Sequence, residues 1–151
     1  MDNRTKMTEE LIFGSTEPNV LYTERRAAYL VVTHDGLIAM IKSQHKHFLP
    51  GGGSLPGEAP ENTVVREVHE ELAQGVRLLS RIGEATQYFY SSTDDRHYKM
   101  LATFFVGKLL TVEYSGKGEH ELDWLPTAEA LRSCFHECHA WAIRQSQYRF
   151  V

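Results

Sequence analysis

A run of three glycines, Gly51–Gly53, constrains this chain more than any other feature of its sequence. Glycine has no Cβ, so the backbone of such a run can approach a ligand or another element closely. The segment that follows, residues 60–73, has helical periodicity. Pro60 is suited to the first turn of this helix, and Gly75 can end it by adopting the left-handed backbone conformation. Its apolar face comprises Val64, Val65, Val68 and Leu72. The sequence therefore predicts a bare backbone turn that leads into an amphipathic helix.

Apolar segments with strand-like composition flank this unit on both sides. They lie at residues 26–33, 37–42, 47–49, 77–90 and 98–114. A second helical region, residues 127–147, is broken near Ser133. This order of elements predicts an α/β fold in which helices pack on a mixed sheet. A length of 151 residues fits one domain, expected over residues 11–151, with the polar residues 1–10 as a flexible tail.

The composition disfavours several classes of protein. A net charge of −4 argues against a non-specific binder of nucleic-acid polymers, which usually carries a basic excess. No run approaches the ~18 apolar residues that span a membrane. The two cysteines, Cys134 and Cys138, provide no disulfide framework. We therefore expect a cytoplasmic protein with neither a membrane nor a nucleic-acid partner.

Three glutamates share one side of the predicted helix. At about 100° per residue, Glu67, Glu70 and Glu71 fall within about a third of the helix circumference. Their repulsion costs roughly 0.2–0.5 kcal/mol per pair in water. A bound Mg²⁺ or Mn²⁺ ion would turn this repulsion into a net attraction, because hard cations prefer oxygen ligands. A solvated acidic surface is the alternative, but the glycine run upstream favours a metal site, as does Glu58, spaced to fold back on Arg66.

These residues together closely resemble a known signature. Gly52, five residues, Glu58, seven residues and then Arg66-Glu67-Val68-His69-Glu70-Glu71 follow the pattern G-x5-E-x7-R-E-U-x-E-E-x-G-U of the Nudix hydrolases, where U is aliphatic. The likeness in the order of elements extends over about residues 20–145. The chain is thus similar to this family both in a specific motif and in its general plan.

The match departs from the signature at its end. Ala73 stands where the family has its last glycine, and Gln74 where it has an aliphatic residue. The nearby Gly75 and Val76 look like the same pair displaced by two residues. We therefore expect a slightly longer helix, altered packing at its end, and retained metal binding.

The resemblance implies a Nudix-type α/β/α sandwich with a mixed central β-sheet. It also implies a hydrolase that uses Mg²⁺ or Mn²⁺ to cleave the diphosphate bond of a nucleoside diphosphate linked to a group X. Such a protein would take a small nucleotide-type substrate, as a monomer or a homodimer. The implied metal ligands are the carboxylates of Glu67, Glu70 and Glu71 and the backbone carbonyl of Gly51. Glu58 and Arg66 would hold the loop to the helix, and Arg66 would serve catalysis by orienting Glu67.

A general base is implied as well, but its identity stays open. Some family members use the glutamate that matches Glu67, and others use one in a late loop before a tryptophan strand. Here the corresponding loop precedes Trp124 and contains Glu119 and Glu121. We favour Glu119 as the base or as a further metal ligand.

Positive and aromatic residues near the predicted site are candidates for substrate binding. Arg26 and His47 lie on strands that lead toward the glycine run. Tyr90 falls one residue short of a tyrosine that family members cutting dinucleoside polyphosphates often carry, and Phe89 replaces a proline typical of ADP-ribose cutters. This spacing disfavours ADP-ribose and mildly favours a nucleotide polyphosphate.

Other interpretations are weaker. A non-catalytic nucleotide-binding module with a regulatory partner is the first alternative, although the intact glutamates argue against it. A diphosphate isomerase would need a catalytic cysteine near the signature residues 52–71, and none is there. The cluster Cys134, His136, Cys138 and His139 resembles a zinc site, but free cysteines packed on a helix explain it better.

Overall fold

The structure is a computed structural model that describes residues 10–111 and 116–149. Its elements, in chain order, are β1 (Ile12–Phe13), β2 (Thr23–Val31), β3 (Thr33–His34), β4 (Leu37–Ser43), β5 (Lys46–Phe48), β6 (Gly51–Gly53), α1 (Pro60–Leu72), β7 (Gln74–Ser91), β8 (Arg96–Thr111), β9 (Glu121–Pro126), α2 (Thr127–Ser133) and α3 (Glu137–Arg149). The proposed tail, apart from residue 10, and the end of the strand expected to reach residue 114 lie outside the described residues.

The strands form two sheets. The larger has five strands in the order β1-β7-β8-β2-β6, and the smaller is built around β4, which pairs with β3, β5 and β9. In the larger sheet, β2 runs parallel to β8 and β1 parallel to β7, whereas β7 pairs antiparallel with β8 and β6 antiparallel with β2. The expected mixed sheet is confirmed, and a separate antiparallel sheet accompanies it.

Helices cover the two faces of the larger sheet, as side-chain alternation along β2 requires. Ala27, Tyr29 and Val31 enter a core cluster with residues of α3. Ala28, Leu30 and Val32 enter a second cluster with residues of α1. The glycine strand β6 lies at the edge of this sheet, beside β2. The expected α/β/α arrangement is therefore confirmed.

Helix α1 buries a narrower stripe than the sequence predicts. Val64 and Val68 are fully buried, whereas Val65 is 42% exposed because it lies about 100° around the helix from Val64. The helix begins with Pro60 in its first turn and has no side-chain N-cap. Its anchoring therefore depends on the core contacts of one face and on the ion pairs of the other.

The end of α1 differs from the expected displacement. The helix stops at Leu72, and Ala73 adopts the left-handed conformation (φ 55°, ψ 39°) while its N–H donates to the carbonyl of His69 at 2.9 Å. Gly75 lies in β7, paired with Leu110. The prediction of a longer helix ending at Gly75 was wrong, because β7 begins at Gln74 and the turn must be made before it. Alanine takes the place of the signature glycine at a cost of roughly 1–2 kcal/mol for the left-handed conformation.

The predicted break in the C-terminal helical region is confirmed. α2 ends at Ser133 and α3 begins at Glu137. In the turn between them, the N–H of Phe135 donates to the carbonyl of His47 at 3.0 Å. This bond ties the turn to β5. No helix among the described residues is long and apolar enough to span a membrane.

Candidate functional site

A cleft of about 380 Å³ opens where the edge strand β6 meets the acidic side of α1. Its lining also includes residues of β2, β5, the connection between β7 and β8, and the α2–α3 turn. The cleft thus brings together segments from nearly the whole described chain. The glycine run and the glutamate helix meet here, as the sequence predicts.

The three glycines are needed because each is closely approached from the side. A Cβ on Gly52 would lie 2.5 Å from Oε1 of Glu67, and one on Gly53 would lie 2.9 Å from Nη2 of Arg25. Gly51 has a φ of +139° and leaves only 2.2 Å between an added Cβ and the carbonyl oxygen of Ala28. A side chain at any of these positions would displace a charged group or the neighbouring strand.

Arg66 is the centre of a dense hydrogen-bond network. Its Nε donates to Oε2 of Glu58 at 2.9 Å, and its Nη2 donates to Oε1 of the same carboxylate and to the carbonyl of Gly53, both at 2.9 Å. Its Nη1 donates to Glu67 at 2.9 Å and to Glu70 at 3.2 Å. The fold-back of Glu58 onto Arg66 is confirmed. Hydrogen bonding to Arg66 is the largest cause that lowers the pKa of Glu58 to about 2.

Glu71 is held differently. Its Oε1 accepts a hydrogen bond from the N–H of Gly51 at 3.0 Å, and the carboxylate is half-buried at the cleft. Burial is the main cause that raises the pKa of Glu71 to about 8, and the charges of Glu67, Glu119 and Glu70 add to it. Burial also raises the pKa of Glu67. Burial therefore disfavours the ionised form of both carboxyls, although Glu67 is paired with Arg66.

The three helix glutamates do not form a ready metal cage. In the described part of the chain, no group of three or more acidic, histidine or cysteine side chains is arranged to hold a cation. Glu67 and Glu70 accept hydrogen bonds from Arg66, and Glu71 accepts one from the N–H of Gly51. Their other oxygens make no hydrogen bond to a described residue. The donor set, carboxylate oxygens beside bare backbone, is nevertheless what Mg²⁺ or Mn²⁺ prefers.

The late loop closes directly onto the acidic turn of α1. The N–H of Glu119 donates to the carbonyl of Glu70 at 3.1 Å, and that of His120 donates to the carbonyl of Glu71 at 2.9 Å. Gly118 makes this approach possible, because a Cβ there would lie 2.2 Å from the carbonyl oxygen of Glu71. The loop thus satisfies two of the carbonyls that a helix leaves unpaired at its C-terminus.

The two late-loop glutamates have different positions. The charge of Glu119 acts on Glu71 and helps raise its pKa, whereas Glu121 is exposed at the start of β9, opposite Lys42. His120 lines the cleft and was not among the predicted residues. The geometry therefore favours Glu119 over Glu121 as the residue near the acidic turn.

Of the three predicted substrate-binding residues, only Tyr90 lines the cleft. Arg26 is exposed on the opposite side of β2, and the neighbouring Arg25 faces the cleft instead. His47 points away and pairs with Asp123 at 2.9 Å, Nε2 to Oδ2. Both placements differ from the expectation for one reason: adjacent residues on a strand point to opposite faces, so a register error of one residue exchanges them.

The cysteine and histidine cluster lies around the α2–α3 turn. Cys134 donates its Sγ–H to the carbonyl of Ala130 at 3.2 Å, and Cys138 is buried. Nδ1 of the buried His139 accepts from the N–H of Leu49 at 3.1 Å. His136 lines the cleft together with aromatic side chains. Sequence reasoning did not foresee that this turn reaches the site, because only the fold brings it there.

Comparisons with known proteins identify the same family that the motif resembles. The NUDIX domain family matches residues 20–145 of the chain. A NUDIX hydrolase from Nitrosomonas europaea is 15% identical, with 84% of this chain and 90% of that chain covered and a TM-score of 0.68. An Escherichia coli dihydroneopterin triphosphate pyrophosphohydrolase is 17% identical (83% and 97% covered, TM-score 0.63). A Caenorhabditis elegans Ap4A hydrolase is 12% identical (84% and 96% covered, TM-score 0.61). These identities show a common fold, and no curated protein matches the sequence.

Proposed function

The chain belongs to the NUDIX domain family, and we propose that it cleaves the diphosphate bond of a nucleoside diphosphate linked to a group X, with Mg²⁺ or Mn²⁺ as cofactor. The observation that carries the proposal is the position of Glu67 and Glu71. Burial raises the pKa of both carboxyls, and both lie against the bare backbone of the glycine strand. A divalent cation bound beside them would stabilise the ionised form of both carboxyls.

Glu67, Glu70, Glu71 and the carbonyl of Gly51 would hold the cation. Such an ion would neutralise phosphate oxygens and would supply a more acidic water for attack on phosphorus. Arg66 orients two of these ligands, because its guanidinium forms ion pairs with both Glu67 and Glu70. Arg66 therefore holds these two carboxylates beside each other on α1.

The remaining roles fall to residues around the cleft. Arg25 lies against Gly53 and supplies a fixed positive charge for a phosphate. Glu119, near Glu71, is suited to accept a proton from the attacking water. Phosphoryl transfer requires mainly positioning and charge stabilisation. A cleft rich in charged and backbone donors meets that requirement.

We propose a nucleotide polyphosphate as the substrate. Tyr90 at the cleft and the motif spacing support a nucleotide polyphosphate over ADP-ribose. The names of three similar structures mention Ap4A, dihydroneopterin triphosphate and ADP-ribose. We include all three compounds among the substrates to be tested.

The direct test is a substrate screen. Purified protein is incubated with nucleoside triphosphates, dinucleoside polyphosphates, nucleotide sugars and ADP-ribose, each with Mg²⁺, Mn²⁺ or EDTA, and the nucleoside monophosphate and the phosphorylated second product are separated and measured. We expect turnover of at least one polyphosphate with metal and none with EDTA. Turnover that persists in EDTA would contradict the metal role. Tight nucleotide binding without turnover would favour the alternative of a regulatory binding module.

A further inference from the structure

Two chain segments meet at the outer rim of the cleft. One is the β4–β5 turn, which consists of Gln44 and His45, and the other is the β7–β8 connection, residues 92–95. Gln44 and Thr93 both line the cleft, and Oγ1 of Thr93 donates a hydrogen bond to Oε1 of Gln44 at 3.3 Å. We call this contact the clasp. In the part of the chain that the structure describes, no other hydrogen bond joins these two segments.

The β4–β5 turn has a conformational cost. Ser43 pairs with Lys46, so the loop has only two residues, Gln44 and His45, and their φ values are 51° and 66°. Two-residue turns with this backbone strongly favour asparagine and glycine, because longer side chains are disfavoured in the left-handed region. Asparagine would carry the same amide group more favourably, but its side chain is one methylene shorter. A glutamine here therefore indicates a requirement for reach, since backbone outliers of this kind cluster at functional sites.

The β7–β8 connection presents Thr93 from a braced loop. The hydroxyl of Tyr98 donates to Oδ2 of Asp94 at 2.7 Å, and the N–H of Asp94 donates to Oγ of Ser91 at 3.3 Å. The clasp itself is a single hydrogen bond between two exposed side chains. The net free energy of one such bond is small enough for thermal motion to break it. The two segments are therefore firm, and the contact between them can open.

We propose that Gln44 and Thr93 are specificity-determining residues, and that the clasp selects substrates by the size of the group X. The inference rests on the proposed function, because it concerns which X the diphosphate can carry. With the clasp closed, the cleft of about 380 Å³ accepts a nucleotide whose X is a phosphate or another small group. A bulky X, such as a second nucleoside, passes between the two segments and requires the open form. Its apparent affinity is therefore reduced by the fraction of molecules in which the clasp is open.

The test compares two substrates that differ in the size of X. ATP and Ap4A both present adenosine and a polyphosphate, but only Ap4A carries a second nucleoside. Gln44→Asn suits the left-handed backbone and shortens the amide side chain, whereas Thr93→Val removes the hydroxyl and keeps the shape. Thr33→Val is the matched control, since Thr33 is an exposed residue of β3 outside the cleft lining. We would measure kcat/KM for both substrates with Mg²⁺, and thermal melts of every variant.

We expect either clasp variant to raise the ratio of kcat/KM for Ap4A to kcat/KM for ATP about three- to tenfold, the range that the loss of one hydrogen bond gives. The double variant should add nothing to a single one, because both substitutions break the same contact. Thr33→Val should leave the ratio unchanged. Gln44→Asn should melt at or above the parent temperature, and if it melts lower, Thr93→Val alone decides. An unchanged ratio in Thr93→Val, or a double variant that sums the single effects, would overturn the inference.

A binding measurement separates this inference from the proposed function. Calorimetric titration in EDTA gives the dissociation constants of ATP and Ap4A without turnover. If neither is hydrolysed with metal but the ratio of their dissociation constants shifts in the clasp variants, the proposed function fails and the clasp stands. If phosphoanhydrides are hydrolysed and neither the kinetic nor the binding ratio shifts, the clasp fails and the function stands. A parent protein that neither hydrolyses nor binds either nucleotide would contradict both.

Discussion

Replacement of Glu71 by glutamine removes a charge and preserves a contact. The amide oxygen of glutamine can still accept the hydrogen bond that the N–H of Gly51 donates to Oε1 of Glu71. The change therefore affects the buried charge alone, while the shape of the helix turn is retained. Its effects on stability and on activity should have opposite signs.

The stability effect follows from the pKa of Glu71 in the metal-free protein. Its folded-state value, about 8, lies above the ordinary 4.5 because burial disfavours the ionised form. The folded state thus holds the proton more tightly, and the stability linked to this group is present below pH 4.5 and lost as pH rises through about 8. At about 1.36 kcal/mol per pKa unit, the full difference corresponds to roughly 5 kcal/mol. Since the side chain is only partly shielded from water, we expect about 1–3 kcal/mol.

The assay is urea unfolding of the parent and Glu71→Gln in EDTA, at about pH 9 and about pH 5. The variant should be more stable by about 1–3 kcal/mol at the higher pH, and the difference should largely vanish at the lower pH. Mg²⁺ should reverse the order, because a ligand at one hundred times its Kd stabilises the parent by about 2.7 kcal/mol and the variant much less. The kcat of the variant should fall by at least about a hundredfold.

The exposed Glu61 in the first turn of the same helix gives the control Glu61→Gln. It should alter neither the metal response nor kcat. Two results would refute the reasoning. One is a Glu71→Gln variant that is less stable than the parent at high pH in EDTA. The other is a variant that retains both the Mg²⁺ response and full turnover.

Three further substitutions test the site from other sides. Gly118→Ala should lower kcat by about 10- to 100-fold because it displaces the late loop from α1, whereas Gly116→Ala, whose Cβ meets nothing within 4 Å, should be neutral in steady-state kinetics. Arg66→Lys should destabilise the protein by roughly 2–4 kcal/mol in urea unfolding, because a lysine cannot replace a guanidinium that contacts four partners. Arg25→Met should raise KM for phosphate substrates about tenfold or more, while Arg26→Met should change it less than about twofold. If Arg26→Met had the larger effect instead, Arg26 would be the substrate-binding residue, as the sequence predicted.

The sequence was most informative where function depends on local spacing. The Gly52–Glu71 pattern identified the family, which the match over residues 20–145 confirms, and helical geometry placed three glutamates on one side of α1. The ion pair between Glu58 and Arg66 could also be foreseen, because both residues belong to one strand, loop and helix unit.

Residues that reach the cleft through tertiary pairing could not be predicted in this way. The choice between Arg25 and Arg26 depends on which face of β2 meets α3, and composition does not determine that register. His136 comes to the cleft because Phe135 is hydrogen-bonded to β5, a contact between segments far apart in the chain. The left-handed conformation of Ala73 was not predicted for a related reason. The start of β7 at Gln74, rather than local propensity, decides where α1 ends.

The last turn of α1 explains why the acidic cluster and the candidate base behave as one unit. The carbonyls of His69, Glu70 and Glu71 would be unpaired at an isolated helix end, but here they accept N–H groups from Ala73, Glu119 and His120 respectively. The backbone that carries Glu70 and Glu71 is thus held by the loop that also carries Glu119. A shift of this loop would free two carbonyls and move a carboxylate at the same time. Any substitution that loosens the loop should therefore affect metal response and turnover together, even where the substituted side chain contacts neither the metal ion nor the substrate.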